Sequence, residues 1–429
     1  MESIKWLLFK LLLKVIGESN YHLNVVLPAS NADEQTVQAN KRPYQWIFCS
    51  TIGELNACKP LINLIAQHGQ VVLISDRNCY QEAFAQHFPD AIYAELKGLD
   101  GEAKTLSERF PPQNLYVCEI PCTPNDAPCR LGYGFLRQTK RAGASIVLVN
   151  GWLYGYPPSC RQDQIERILF TKDYLALFDI MTVQTEQIKQ SLIQSGAKPD
   201  TLFVTGNMKF DAIYDIKVSY KDTVSESIVK QLALPQTNTL VAGCLSEPWE
   251  YQLLVDSYKV MLQHQAASVM VMAPRHPEKA EQLALIRKIL HDVGLTFEFK
   301  SQMTEGLQTD TQVLVLDTFG ELRSYYSAAD ISYMGRNHNI LEPLAFGKPV
   351  VILSGWEQSY PSFPVYQLAL ENQLVIQVEH QDTLGDTLVS IQQQDLTAFQ
   401  LNLKQKLSSL ATALEHNIRI LDLAPVPLN

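Results

Sequence analysis

From Tyr44 onward the chain alternates short, almost wholly apolar runs with stretches whose apolar residues recur at helical spacing. That is the pattern of βαβ units built on a parallel sheet. In the first half the runs are YQWIFCS (44–50), QVVLISD (70–76), LYVCEI (115–120), SIVLVN (145–150), IMTVQT (180–185) and LFVTG (202–206). Their near-continuous Val, Ile and Leu content predicts strands buried on both faces. The pattern weakens between Asp211 and Asn238, in the polar KVSYKDTVSES and the LPQTN loop, so a domain boundary is expected there. A second series follows, with TLVAGC (239–244), SVMVMAP (268–274), QVLVLD (312–317), DISYMG (330–335) and PVVILS (349–354). Leu396 to Leu423 has helical spacing and is expected to return to the first domain. The organisation predicted is a helix over 1–17, a doubly wound α/β domain over 18–215, a second over 216–395 and a helical segment over 396–429.

The N-terminus departs from this pattern. In MESIKWLLFKLLLKVIG the apolar residues are interrupted by Lys10 and Lys14, one helical turn apart. A transmembrane helix needs roughly 20 predominantly apolar residues, and a secretory signal has an uninterrupted apolar centre and a small-residue cleavage site. The stretch fits better a helix lying in a bilayer interface, lysines toward anionic headgroups and Trp, Phe and Leu toward acyl chains. The alternative is a helix packed on its own domain.

Composition narrows the functions. A net charge of −10 over 429 residues, with no local basic stripe, excludes nucleic acid as an expected partner. Eight scattered cysteines suit a reducing compartment, and Cys118, Cys122 and Cys129 match no strong zinc spacing, so they are taken as structural thiols and no metal is expected.

Four polar motifs follow apolar runs. Ser50-Thr51-Ile52-Gly53-Glu54 ends a strand and opens a helix, where backbone donors favour an anion. Glu54 is expected on that turn, presented rather than buried, as either a base or a charge complementing the helix dipole. Gly206-Asn207-Met208-Lys209-Phe210-Asp211 projects Lys209 as a point charge near the domain crossing, able to reach a phosphate. In Ala273-Pro274-Arg275-His276-Pro277-Glu278, flanking prolines stiffen a loop presenting Arg275 and His276, and arginine suits bidentate binding of carboxylate or phosphate. Gly335 to Ala345 is a Gly-polar loop running into a helix, with Asn339 and Glu342 on one turn and Glu342 able to accept ribose hydroxyls.

Taken in order, STIGE (50–54), GNMKFD (206–211), APRHPE (273–278), LDTFGEL (316–322) and HNILEP (338–343) resemble the 3-deoxy-D-manno-octulosonic acid (Kdo) transferase family. The resemblance implies a GT-B fold, two Rossmann-like domains facing across a cleft, and an inverting transfer of Kdo or a related 2-keto sugar acid. It implies a CMP-activated donor, a lipid A-type lipid-linked acceptor, and work at the cytoplasmic face of the inner membrane without metal or cofactor. By position it makes Glu54 the general base. Lys209, Arg275 and the adjacent His276 fall on the donor side with Ser246, Asn339 and Glu342, and Asp317, Gly320 and Glu321 match the LDTFGEL segment. Ser50, Gly53 and Glu119 fall on the acceptor side. Several stretches depart from the family pattern. MGRNHN is compressed and carries Arg336 where glycine is expected, SEPWE (246–250) replaces a polar-proline-glycine run, ETE-x-WP survives only as Glu119, and Asn-x-Arg appears as Asn150-Gly151-Trp152. These departures leave two alternatives: a GT-B transferase with another nucleotide sugar or acceptor, and a non-catalytic paralogue.

Overall fold

The computed structural model describes residues 4–15, 22–28, 42–215, 218, 220–234, 236–264 and 268–423. The chain divides into two units, the first comprising 1–212 and 410–429, the second 213–409.

The first unit is built on eight strands: β1 (Leu23–Val26), β2 (Tyr44–Phe48), β3 (Gln70–Ser75), β4 (Ile92–Leu96), β5 (Pro112–Cys118), β6 (Ser145–Gly151), β7 (Ile180–Val183) and β8 (Leu202–Val204). Their order across the sheet is β1-β4-β3-β2-β5-β6-β7-β8, parallel except for β1, which pairs antiparallel with β4. Every residue of β2 is buried. Trp46 and Phe48 enter one core with Ile74, Val117 and Phe135, while Ile47 enters the other with Leu55, Leu61 and Leu73. A strand covered on both faces needs apolar residues at both parities, which is why the run carries no alternation. β1 and β4 were not anticipated, because β1 is a half-buried edge of four residues and Glu95 dilutes the apolar run of β4.

The second unit carries seven parallel strands: β9 (Asn238–Leu245), β10 (Ser268–Pro274), β11 (Phe297–Phe299), β12 (Val313–Val315), β13 (Ile331–Met334), β14 (Val350–Leu353) and β15 (Ile376–Val378). Their order is β11-β12-β10-β9-β13-β14-β15. β11 and β15 were not anticipated, because Glu298 and Gln377 interrupt their apolar residues. The polar stretch read as an interdomain loop holds a helix, Thr223–Leu232, capped by Asp222 Oδ1 accepting from Ser225 N at 2.7 Å. Its Ile228, Val229 and Leu232 are buried, so it belongs to the second unit, and the division falls before it.

Two terminal helices complete the first unit. In Ala413–Ile420 the residue Ala413 joins the core around Ile47, and Asn417 Oδ1 accepts a 2.6 Å hydrogen bond from the Thr182 hydroxyl on β7. In Ile4–Val15, Trp6 and Phe9 are buried against Phe170, with Trp6 edge-on to Tyr133 at 5.3 Å and to Phe170 at 5.6 Å. Lys10 pairs with Asp100 at 2.8 Å. The other side of this helix leaves Ile4, Leu7, Leu8, Leu11 and Leu12 exposed. Among the described residues no helix is long and apolar enough to cross a membrane.

Candidate active site

In a doubly wound sheet the loops diverge where strand order reverses, and ligands bind there, beyond the strand C-termini. The first unit reverses between β2 and β5, the second between β9 and β13. STIGE, Glu119, Ser246 and the loop from Gly335 follow the strands at these two points, whereas GNMKFD follows β8, APRHPE β10 and LDTFGEL β12.

In the first unit Ser50, Thr51 and Glu54 follow β2. Thr51 caps the helix Ile52–His68, its hydroxyl oxygen accepting from Glu54 N at 3.3 Å. Glu54 Oε2 accepts in return from Ser50 N at 2.6 Å and Thr51 N at 3.3 Å, which closes a capping box. Glu54 is therefore not presented on the turn as expected but is buried, 5% exposed, because the reciprocal cap folds its carboxylate back under the helix start. Burial first, and the nearby Glu119 second, push its pKa from 4.5 up to about 8, against the pull of the Ser50 and Thr51 hydrogen bonds. Ser50 Oγ donates to Asp76 Oδ1 at 2.5 Å, and Gly53 is exposed on the outer side of the first turn. The Cys129 thiol approaches Glu54 Oε1 at 3.8 Å. With Cys118 and Cys122 it is buried, and burial helps raise all three thiols well above their usual range, as structural cysteines require.

Glu119 follows β5 in a left-handed backbone conformation, φ 64°. Its amide donates to Val149 O at 2.7 Å and its carbonyl accepts from Trp152 N at 3.1 Å, so neighbouring chain holds a conformation that a glutamate rarely adopts. One carboxylate oxygen accepts from Lys209 Nζ at 2.6 Å and from the Tyr154 hydroxyl. Lys209, expected to reach toward a donor phosphate, is thus engaged within the first unit. Glu119 Oε2 is buried with no partner, and the same holds for Asn150 Nδ2, Trp152 Nε1, Gln184 Oε1, Thr205 Oγ1 and Asn207 Nδ2. All six belong to residues at or just beyond the C-terminal ends of β5 to β8. Buried polar atoms in folded proteins are nearly always satisfied, so this clustering marks a place made for hydroxyl groups or water.

In the second unit Gly335, just past β13, lies so close to the end of β9 that a Cβ there would sit 2.3 Å from Cys244 O. Only glycine permits that approach. It brings Ser246 Oγ to 2.5 Å from His338 Nε2. Burial, reinforced by Arg275 and His276, holds the His338 imidazole down at about 4, so it is neutral at physiological pH. Arg275 N is anchored on Leu245 O at 2.8 Å while its side chain is exposed, and His276 Nδ1 lies 3.0 Å from Glu278 Oε1. Asn339 Oδ1 accepts from Leu341 N at 3.1 Å, and Glu342 pairs with Arg323 at 3.3 Å. Gly320 is exposed at φ 76°. Glu321 beside it turns inward, Oε2 accepting from Ser225 Oγ at 2.6 Å with Lys300 Nζ at 3.9 Å, so it ties the helix Thr223–Leu232 in place rather than facing a ligand. Asp317 likewise accepts from Ser301, at 2.8 Å from its amide.

Tyr154, Asp76, Glu250 and His338 were not singled out from the sequence as site residues. For Asp76 a signal existed, since it ends the apolar run QVVLISD just as Ser50 ends YQWIFCS.

Two doubly wound sheets in tandem, one carrying a buried carboxylate and the other exposed and half-buried cations, make a GT-B-like fold. The solved structure of a UDP-GlcNAc 2-epimerase from Methanocaldococcus jannaschii is similar over 89% of this chain and all of its own, with TM-score 0.61 and 13% identity. A glycosyltransferase from Rickettsia africae matches 89% of this chain and 98% of its own with TM-score 0.57 and 13% identity. At such identities both speak for the fold alone. The family model for 3-deoxy-D-manno-octulosonic-acid transferase (kdotransferase) matches residues 130–212. A 3-deoxy-D-manno-octulosonic acid transferase of Chlamydia trachomatis is 25% identical over 327 residues, covering 72% of this chain and 69% of its own. Both matches make the chain similar to the Kdo transferase family.

Proposed function

We propose that this protein transfers Kdo, or a related 2-keto sugar acid, from a CMP-activated donor to a lipid A-type acceptor with inversion, needing neither metal nor cofactor. The observation that carries the reading is the buried Glu54 carboxylate, whose pKa of about 8 suits a base working near neutrality. Glu54 takes the proton of the acceptor hydroxyl, and the oxygen attacks the anomeric carbon as the bond from that carbon to the phosphate oxygen breaks. CMP leaves with the electron pair. Arg275 offsets the charge developing on the phosphate, which is why the reading requires no metal. Glu119, fixed by Lys209 and Tyr154, and the unpartnered polar atoms around it supply partners for acceptor hydroxyls. A thermal-shift comparison of CMP, UDP and GDP tests it, because a ligand that binds only the native state raises its melting temperature. Selective stabilisation by CMP is expected. Stabilisation by UDP alone would favour the second reading, a transferase using another nucleotide sugar, to which the compressed loop at 335–339 points.

The helix Ile4–Val15 is proposed to rest on the cytoplasmic membrane face through Leu7, Leu8, Leu11 and Leu12, while Trp6 and Phe9 fasten it to the first unit. Deleting it would uncover Phe170, so Leu8→Glu with Leu11→Glu is the cleaner probe. The double variant should lose flotation with anionic liposomes and keep its melting temperature; unchanged flotation removes the helix from membrane contact.

A further inference from the structure

The two second-unit stretches that depart from the family pattern, SEPWE and MGRN, meet in space. The Arg336 guanidinium carbon lies 5.0 Å from the Trp249 ring centroid. On the Gly355 side, a Cβ built on that residue would fall 3.6 Å from the same carbon. The guanidinium is thus clamped between an indole and a glycine backbone, and its amide is anchored on Glu250 Oε1 at 3.4 Å. The clamp orients the group without satisfying it. Nε is buried with no hydrogen-bond partner. Carboxylates on the neighbouring segments are already engaged. Glu250 accepts from Ser246 N, Glu247 N and Tyr333 Oη, at 3.0, 3.1 and 3.2 Å. Glu342 holds Arg323 at 3.3 Å, and Glu357 accepts from Asn337 Nδ2 at 3.4 Å.

A buried guanidinium nitrogen without an acceptor costs stability, so its retention calls for a use. Stacking on tryptophan leaves the planar edge of arginine available, the edge that matches an oxyanion in two parallel hydrogen bonds. Arg336 sits one residue beyond Gly335, at the same reversal point as the Ser246–His338 pair.

Resting on the functional reading above, we propose that Arg336 is an anion-recognition residue of the donor site, binding an oxyanion of the nucleotide-linked sugar acid, with Trp249 as its platform. The carboxylate of the sugar and the phosphate of the nucleotide present the same chemistry to it, and the test separates them. Arg336→Ala, Arg336→Lys and Trp249→Leu are compared with wild type for the KM of CMP-Kdo and, by calorimetry, for the affinity of CMP alone. Arg336→Ala should raise the donor KM by about tenfold or more, Arg336→Lys should restore little because a point charge lacks the fork, and Trp249→Leu should fall between. Unchanged CMP affinity assigns the contact to the carboxylate, and a parallel loss of CMP affinity assigns it to the phosphate. Values within twofold of wild type in both measurements, with only a lower melting temperature, would make Arg336 a prop of the loop and overturn the proposal. Should the wild type use a UDP-linked donor instead, the functional reading fails, while the same variants measured with that donor still decide the role of Arg336.

Discussion

Both units are doubly wound, and they differ in the charge gathered where strand order reverses. At its reversal point the first gathers Glu54, Asp76 and Glu119, of which Glu54 and Glu119 are buried, and only Lys209 among the site residues is a cation touching them. At the corresponding point the second gathers Arg275, Arg336 and a neutral His338, and its buried carboxylate, Glu250, is spent on backbone amides and Tyr333. Both keep left-handed non-glycine residues there, Glu119 and Asn150 in one, Cys244 and Asn337 in the other. Such backbone costs of order 1 to 3 kcal/mol per residue and persists where surrounding structure enforces it. On the reading proposed above, one unit serves proton removal and the other anion binding, and the difference lies in the few residues that follow the strands at the reversal points.

The strongest way to break that division is Glu54→Gln. Glutamine keeps the shape but takes no proton, so transfer should slow by roughly 10² to 10⁴-fold while CMP affinity stays intact. Weakened CMP binding in this variant would mean that the units do not divide the chemistry. Arg275→Ala probes the other side. Loss of a charged hydrogen-bonding partner, roughly 1.5 to 3 kcal/mol, should reduce nucleotide affinity by about ten- to a hundredfold, with Arg275→Lys recovering only part. A calorimetric titration matching wild type removes Arg275 from the donor site. The last effect is on stability. Because folding raises the pKa of Glu54 from 4.5 to about 8, the folded state resists its ionisation. The stabilisation from holding its proton is complete below about 4.5 and is lost as pH rises through about 8. The melting temperature of Glu54→Gln relative to wild type should therefore climb across that window and level off above it. A difference independent of pH would show that Glu54 is not buried as described.

Much of this was legible in the sequence, and what was missed has physical reasons. Runs buried on both faces announce themselves, so eleven of the strands were read from apolar content, whereas short or edge strands such as β1 and β15 bury too little to leave a signature. The motifs marked Glu54, Arg275 and Ser246 correctly as strand-end residues. That Glu54 is folded inward could have been read too, since Thr51-x-x-Glu54 is the capping-box spacing. The pairing of Lys209 with Glu119, 90 residues apart, and the stacking of Arg336 on Trp249 could not be read, because no local pattern links such positions. Glu321 misled for the same reason, its partner Ser225 lying 96 residues away.

The bond from Thr182 to Asn417 has a consequence for the order of synthesis. β7 belongs to the first unit, yet its buried hydroxyl is satisfied by a helix near the chain's end, and Ala413 and Leu423 fill the core behind β2. A ribosome makes the roughly two hundred residues of the second unit in between, which at about 5 to 20 residues per second takes on the order of ten to forty seconds. For that interval the unit that carries Glu54 has an open core face, and the Thr182 hydroxyl keeps only its longer contacts, 3.3 Å each, to Leu148 O and Asn150 N. Its completion is delayed until the second unit has emerged.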